Sequence, residues 1–157
     1  MRCAALFAAL LVCGLAFAAA PPDTVSQEKK VDAKKDIAEL QGTWKLSDAR
    51  GFKSDKAADE LKDMRLTVKD DRMAVRYGDK TAEATFHLDA TTTPRHIDVT
   101  VTDGPADAKG KTFPGIYLLE GKVLHIAFRG PGEKRPSEFI TRNQEGLYEV
   151  WLKKAEK

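Results

Sequence analysis

From Gly42 onward apolar side chains recur at every second position, and that period limits what the chain can become. Trp44 and Leu46 alternate with Thr43, Lys45 and Ser47. Met64, Leu66 and Val68 alternate with Arg65, Thr67 and Lys69, and Met73, Val75 and Tyr77 with Arg72, Ala74 and Arg76. The pattern continues through Ala82 to Leu88, Ile97 to Val101, Leu124 to Phe128 and Tyr148 to Leu152. A strand turns successive side chains to opposite faces, so each run predicts a half-buried strand. Asp70-Asp71, Gly78-Asp79, Asp103-Gly104-Pro105 and Glu120-Gly121 fall between runs, where turns belong.

Two further segments complete the set, Thr112 to Leu119 and Glu138 to Thr141, giving about nine short strands. Pro114-Gly115 suits an edge or a bulge better than a regular central ladder. Most connections are too short for helical crossovers, which predicts an antiparallel meander. Such a sheet must bury its apolar face, and closure also removes its edges. The expected fold is all-β: an antiparallel up-and-down barrel of about 8–9 strands, with a two-sheet sandwich as the alternative. The inward set runs from Trp44 to Leu152 and includes Tyr77, Phe86, Ile116, Leu118, Phe128, Phe139 and Tyr148.

The first residues differ in kind. Arg2 is a positive n-region, Ala4 to Phe17 an apolar run, and Ala16-Phe17-Ala18 a processing site, so residues 1–18 are expected to be a signal peptide cleaved after Ala18. The apolar run is shorter than the roughly 20 residues a bilayer core needs, and Pro21-Pro22 follow it. A lipoprotein at Cys13 is disfavoured because Val12, not a small residue, precedes it. The two cysteines, Cys3 and Cys13, both leave with the signal segment, which excludes a disulfide framework, thiolate zinc ligation and a cysteine nucleophile from the mature chain.

Residues 19–35 are polar, with the basic pairs Lys29-Lys30 and Lys34-Lys35, and read as a flexible linker. The domain is expected over 36–155. It opens on a helical turn, Asp36 to Leu40, with Asp36 as its N-cap, and a second short helix is expected at Lys56 to Leu61. A formal charge of +2, falling to about +1 without Arg2, gives no general attraction to nucleic acid or acidic lipid.

Gly42-Thr43-Trp44 resembles the Gly-x-Trp opening of lipocalins. In that family the tryptophan closes one barrel end and a basic residue of the last strand lies over it, which implies such a role for Lys153 or Lys154. With His96-Ile97-Asp98, Thr102-Asp103-Gly104, Gly115-Ile116-Tyr117, Leu124 to Phe128 and Arg135-Pro136-Ser137-Glu138-Phe139, residues 36 to 154 resemble the uncharacterised lipocalin-like domain family expanded in Planctomycetes. Ala127 departs from it, since members often carry a cysteine there. The resemblance implies an exported barrel and no particular reaction.

Candidate chemistry is sparse. His87, His96 and His125 lie on the polar faces of their runs and should point to solvent, which argues against an interior metal site. Ser47, Ser54 and Ser137 sit in no Gly-x-Ser-x-Gly elbow. Glu83 and Asp98 read as a solvated outer face rather than an acid–base pair. Gly130-Pro131-Gly132 lacks the pattern of a phosphate loop. No catalytic residue, metal ligand or cofactor is therefore expected.

Arg135 is expected to pin its loop through Glu138 or another carboxylate. The almost wholly apolar inward set predicts either a filled core or a site for a small apolar molecule. A charged head would have to stay at the mouth near Arg129 or Arg135. Ligand binding is the leading expectation, a protein-interaction module with a filled barrel the alternative, and a hydrolase or isomerase the third. No nucleic-acid partner and no integral membrane segment are expected after cleavage.

Overall fold

The computed structural model describes residues 33–52, 61–139 and 145–156. The expected signal peptide, nearly all of the linker, residues 56–60 of the helix expected at 56–61, and residues 140–141 of the expected strand at 138–141 lie outside these.

A helix, α1, spans residues 33–40 and leads directly into the sheet. Eight strands follow: β1 (Gly42–Arg50), β2 (Arg65–Lys69), β3 (Arg72–Tyr77), β4 (Lys80–Asp89), β5 (Arg95–Asp103), β6 (Thr112–Glu120), β7 (Val123–Arg129) and β8 (Leu147–Lys154). Each pairs antiparallel with its neighbours in sequence, and β8 returns to β1 to close the barrel. This is the lipocalin-like up-and-down arrangement, and the sandwich is excluded. Glu138 and Phe139 belong to no strand.

Closure follows from the alternation. Leu66, Val68, Met73, Phe86, Leu88, Ile97, Leu124, Ile126, Val150 and Leu152 all enter one buried cluster with Trp44. The polar partners in each strand are left on the outside.

Three expectations need correction. Asp36 is not an N-cap: α1 already includes residue 33, so Asp36 lies within the helix and is 4% exposed. The phase of β6 is opposite to the one expected. Tyr117 pairs with the inward Ile126 and points inside, whereas Ile116 joins Ala127, Leu147 and Phe139 in a separate cluster on the outer wall, and Leu118 is 42% exposed. Finally, Pro114-Gly115 makes neither an edge strand nor a bulge: Pro114 pairs in register with Asp98 of β5, and Gly115 with Ile97 of β5 and Phe128 of β7.

Gly115 is required there. A Cβ at that position would lie 2.8 Å from the Ala127 carbonyl oxygen and 3.2 Å from Phe128 Cβ. Pro114 lacks an N–H for the ladder. Arg135 meets the outer wall at the same place, its Nη1 donating to the carbonyls of Gly115 (2.6 Å) and Ile97 (3.0 Å) and its Nη2 to Asp98 Oδ1 (2.7 Å). Arg135 thus pins its loop as expected, through Asp98.

Candidate functional site

The barrel interior has two unlike halves. At the end where α1 docks, Trp44 is fully buried, and its Nε1 donates to the Leu40 carbonyl at 2.8 Å. Lys154 lies over the indole with its Nζ 5.3 Å from the ring centroid, and donates to the Glu39 carbonyl at 2.6 Å. Lys154 rather than Lys153 therefore fills the position that the Gly-x-Trp resemblance implied.

Beside it, the Asp36 carboxylate accepts from Tyr117 Oη at 2.5 Å and from Arg95 Nη1 at 2.6 Å. Burial, reinforced by the carboxylate, pushes the Tyr117 phenol well above its ordinary value, so it remains a donor. Gln41 extends the seal, its Oε1 accepting from Asp70 N–H at 2.7 Å and its Nε2 donating to the carbonyls of Ile37 and Asp70. The helix is thus fastened to β1, β5, β6, β8 and the β2–β3 turn.

The opposite half contains a cavity of 270 Å³ with a wholly apolar lining. Leu66, Met73, Ile126 and Leu152 lie on its inner side; Phe52, Tyr77, Phe113 and Phe128 line it toward the far end. Tyr148 packs against that end, 5.6 Å from Phe128 and 5.2 Å from Phe52 between ring centroids. Gly51 sets the path of the chain into Phe52. Its φ is 87°, and a Cβ there would fall 1.9 Å from the Leu147 carbonyl oxygen. The volume exceeds the roughly 150 Å³ of an engineered apolar cavity that takes up benzene and approaches the roughly 300 Å³ at which ligand pockets begin. A guest here would meet apolar side chains, including the thioethers of Met64 and Met73, and a charged or strongly hydrogen-bonding group would lose water without compensation.

The other residues singled out by sequence are scattered. His87 is exposed on β4, opposite Asp98, and His96 lies half-buried on β5, opposite Asp89. Among the described residues no group of three His, Cys, Asp or Glu side chains is placed to hold a metal. Glu83 pairs in register with Asp103, four positions from the His87–Asp98 pair, so Glu83 and Asp98 do not converge. Ser47 and Ser137 are exposed, and Ser54 lies outside the described residues. Arg135 is engaged on the outer wall and Arg129 faces the Gly130–Gly132 loop, where its Nη1 lies 4.0 Å from Glu133 Oε2. The expected positive mouth is therefore not built from Arg135.

His125 departs from expectation. It is on the outer face of β7, as the phase requires, yet only 9% exposed. Its ring stacks on Trp151 (4.0 Å between centroids) and is covered by Phe139 (4.3 Å), while Arg50 lies 4.7 Å above Trp151. Burial, and then the positive charge of Arg50, lower its pKa to about 4. Glu149 Oε1 is 3.9 Å from His125 Nε2, beyond hydrogen-bond reach but within ion-pair distance.

No family model, curated protein or solved structure matches the chain.

Proposed function

We propose that this protein is an exported lipocalin-like domain whose barrel holds a small, neutral, apolar molecule in the half away from Trp44. The observation that carries the reading is the 270 Å³ cavity with its wholly apolar lining. Large inward side chains fill the end beneath α1, and the same strands leave space at the other end. That space favours a ligand over a filled interaction module. Export rests on the signal-like residues 1–18. The guest is a hydrocarbon-like or aromatic compound of one or two rings, or a short alkyl chain, and the reading assigns no catalytic step and no cofactor.

Native mass spectrometry of protein purified from its own host tests this. The expected result is a non-covalent adduct released by organic solvent. Protein without an adduct that also fails to take up a panel of small apolar compounds would overturn the reading.

A further inference from the structure

The outer wall carries a row of cations that the alternation of each single strand does not reveal. Register places Lys153 of β8 opposite Lys45 of β1, Lys45 opposite Arg65 of β2, and Arg65 opposite Arg76 of β3. All four side chains are exposed, and among the described residues none of them forms an ion pair. Elsewhere on the wall Asp98 is held by Arg135 at 2.7 Å and Asp103 by Lys109 at 2.8 Å, while Lys69 faces Arg72 and Glu83 faces Asp103 as isolated like pairs. Like charges placed directly opposite one another destabilise a sheet, so three consecutive like pairs are not explained by folding.

We propose that this row is a binding surface for a flexible, linear acidic polysaccharide bearing carboxylate or sulfate groups. Neighbouring strands are about 4.8 Å apart, so the row extends about 14 Å, and in an eight-strand barrel it turns through roughly 135° of the wall. A flat bilayer meets only part of so convex a row, and a duplex is too stiff to follow it. Single-stranded nucleic acid is held largely by stacking on aromatic side chains, and the row has none. An acidic peptide draws its affinity chiefly from main-chain pairing along a free sheet edge, which the closed barrel does not offer, although Val123, 38% exposed, stands opposite Lys153 at the end of the row. The neighbouring row on the same face, Thr43 opposite Thr67, supplies hydroxyls suited to sugar hydroxyl and sulfate groups. This surface is independent of the cavity.

Binding of the purified protein to heparin and to polygalacturonate tests the proposal, with dextran, poly-glutamate and a single-stranded oligonucleotide alongside. The expected result is binding to one or both acidic polysaccharides that weakens as salt rises, with none to dextran. Arg65→Gln/Arg76→Gln should weaken it at least about tenfold, and Lys111→Gln/Lys134→Gln should leave it unchanged. The first variant should melt no lower than wild type because a like-charge pair is removed. Absence of binding to both polysaccharides, equal binding by the row variant, or tighter binding of poly-glutamate or the oligonucleotide would each overturn the proposal.

Discussion

The end of the barrel under α1 and the end around Phe52, Tyr77 and Phe113 are made from the same eight strands, yet they are finished differently. At the first, Trp44, Lys154, Asp36, Tyr117 and Arg95 meet in contacts that pair each polar group. At the second, apolar side chains face one another across a 270 Å³ cavity. A barrel of about eight strands can be filled by its own side chains, so the void reflects the choice of residues and not the number of strands. The sealed half holds the fold together, and the other half is free to be shaped for a guest.

The largest effect should come from breaking the sealed half. Trp44→Ala removes the largest fully buried side chain among the described residues along with its hydrogen bond to Leu40, and should cost about 3–5 kcal/mol in urea unfolding. Phe113→Ala in the cavity half should cost clearly less, since Phe113 is only partly buried and borders existing space.

Acid tests the wall that backs the cavity. Because the folded-state pKa of His125 is lowered to about 4 from 6.5, the unfolded chain takes up its proton first. This contribution is intact above pH 6.5 and is lost as pH falls toward 4, the loss amounting to about 3 kcal/mol before levelling off below that. His125→Phe should remove this part of the pH dependence, as measured by urea unfolding at pH 7 and pH 4.5. An identical slope in the variant would show that the His125 stack is not its source.

A smaller effect separates the polar seal from simple packing. Tyr117→Phe keeps the ring and removes the donor to Asp36, and should cost about 1–3 kcal/mol without altering guest uptake at the far end.

The sequence made the period-two strands, their turns and the closure legible, because each depends on neighbours a few residues apart. It also pointed to Trp44 and to a basic partner from the last strand. It misplaced β6 because Gly115-Ile116-Tyr117-Leu118-Leu119 has hardly a polar residue to set the phase, and Pro114-Gly115 suggested irregularity. The register with β7 and the outer cluster around Phe139 decide the phase, and neither can be read locally. The same limit hid the buried carboxylate. Asp36 lies 59 residues from Arg95 and 81 from Tyr117, so only the closed barrel brings the three together. The alternation puts His125 on the outer face, but its cover comes from Phe139, which lies in no strand and packs on the outer wall and not inside. The cavity was the least legible feature, since the same large side chains serve equally well to fill a barrel or to line one.

The most direct test of the contrast between the halves is displacement of an environment-sensitive apolar dye, measured on wild type and on Val99→Phe, whose added ring occupies the cavity. The account predicts saturable dye uptake by wild type, its displacement by small neutral apolar compounds, and loss of uptake in a variant that unfolds at no lower urea concentration. Equal dye uptake by wild type and an intact, stably folded Val99→Phe would contradict it.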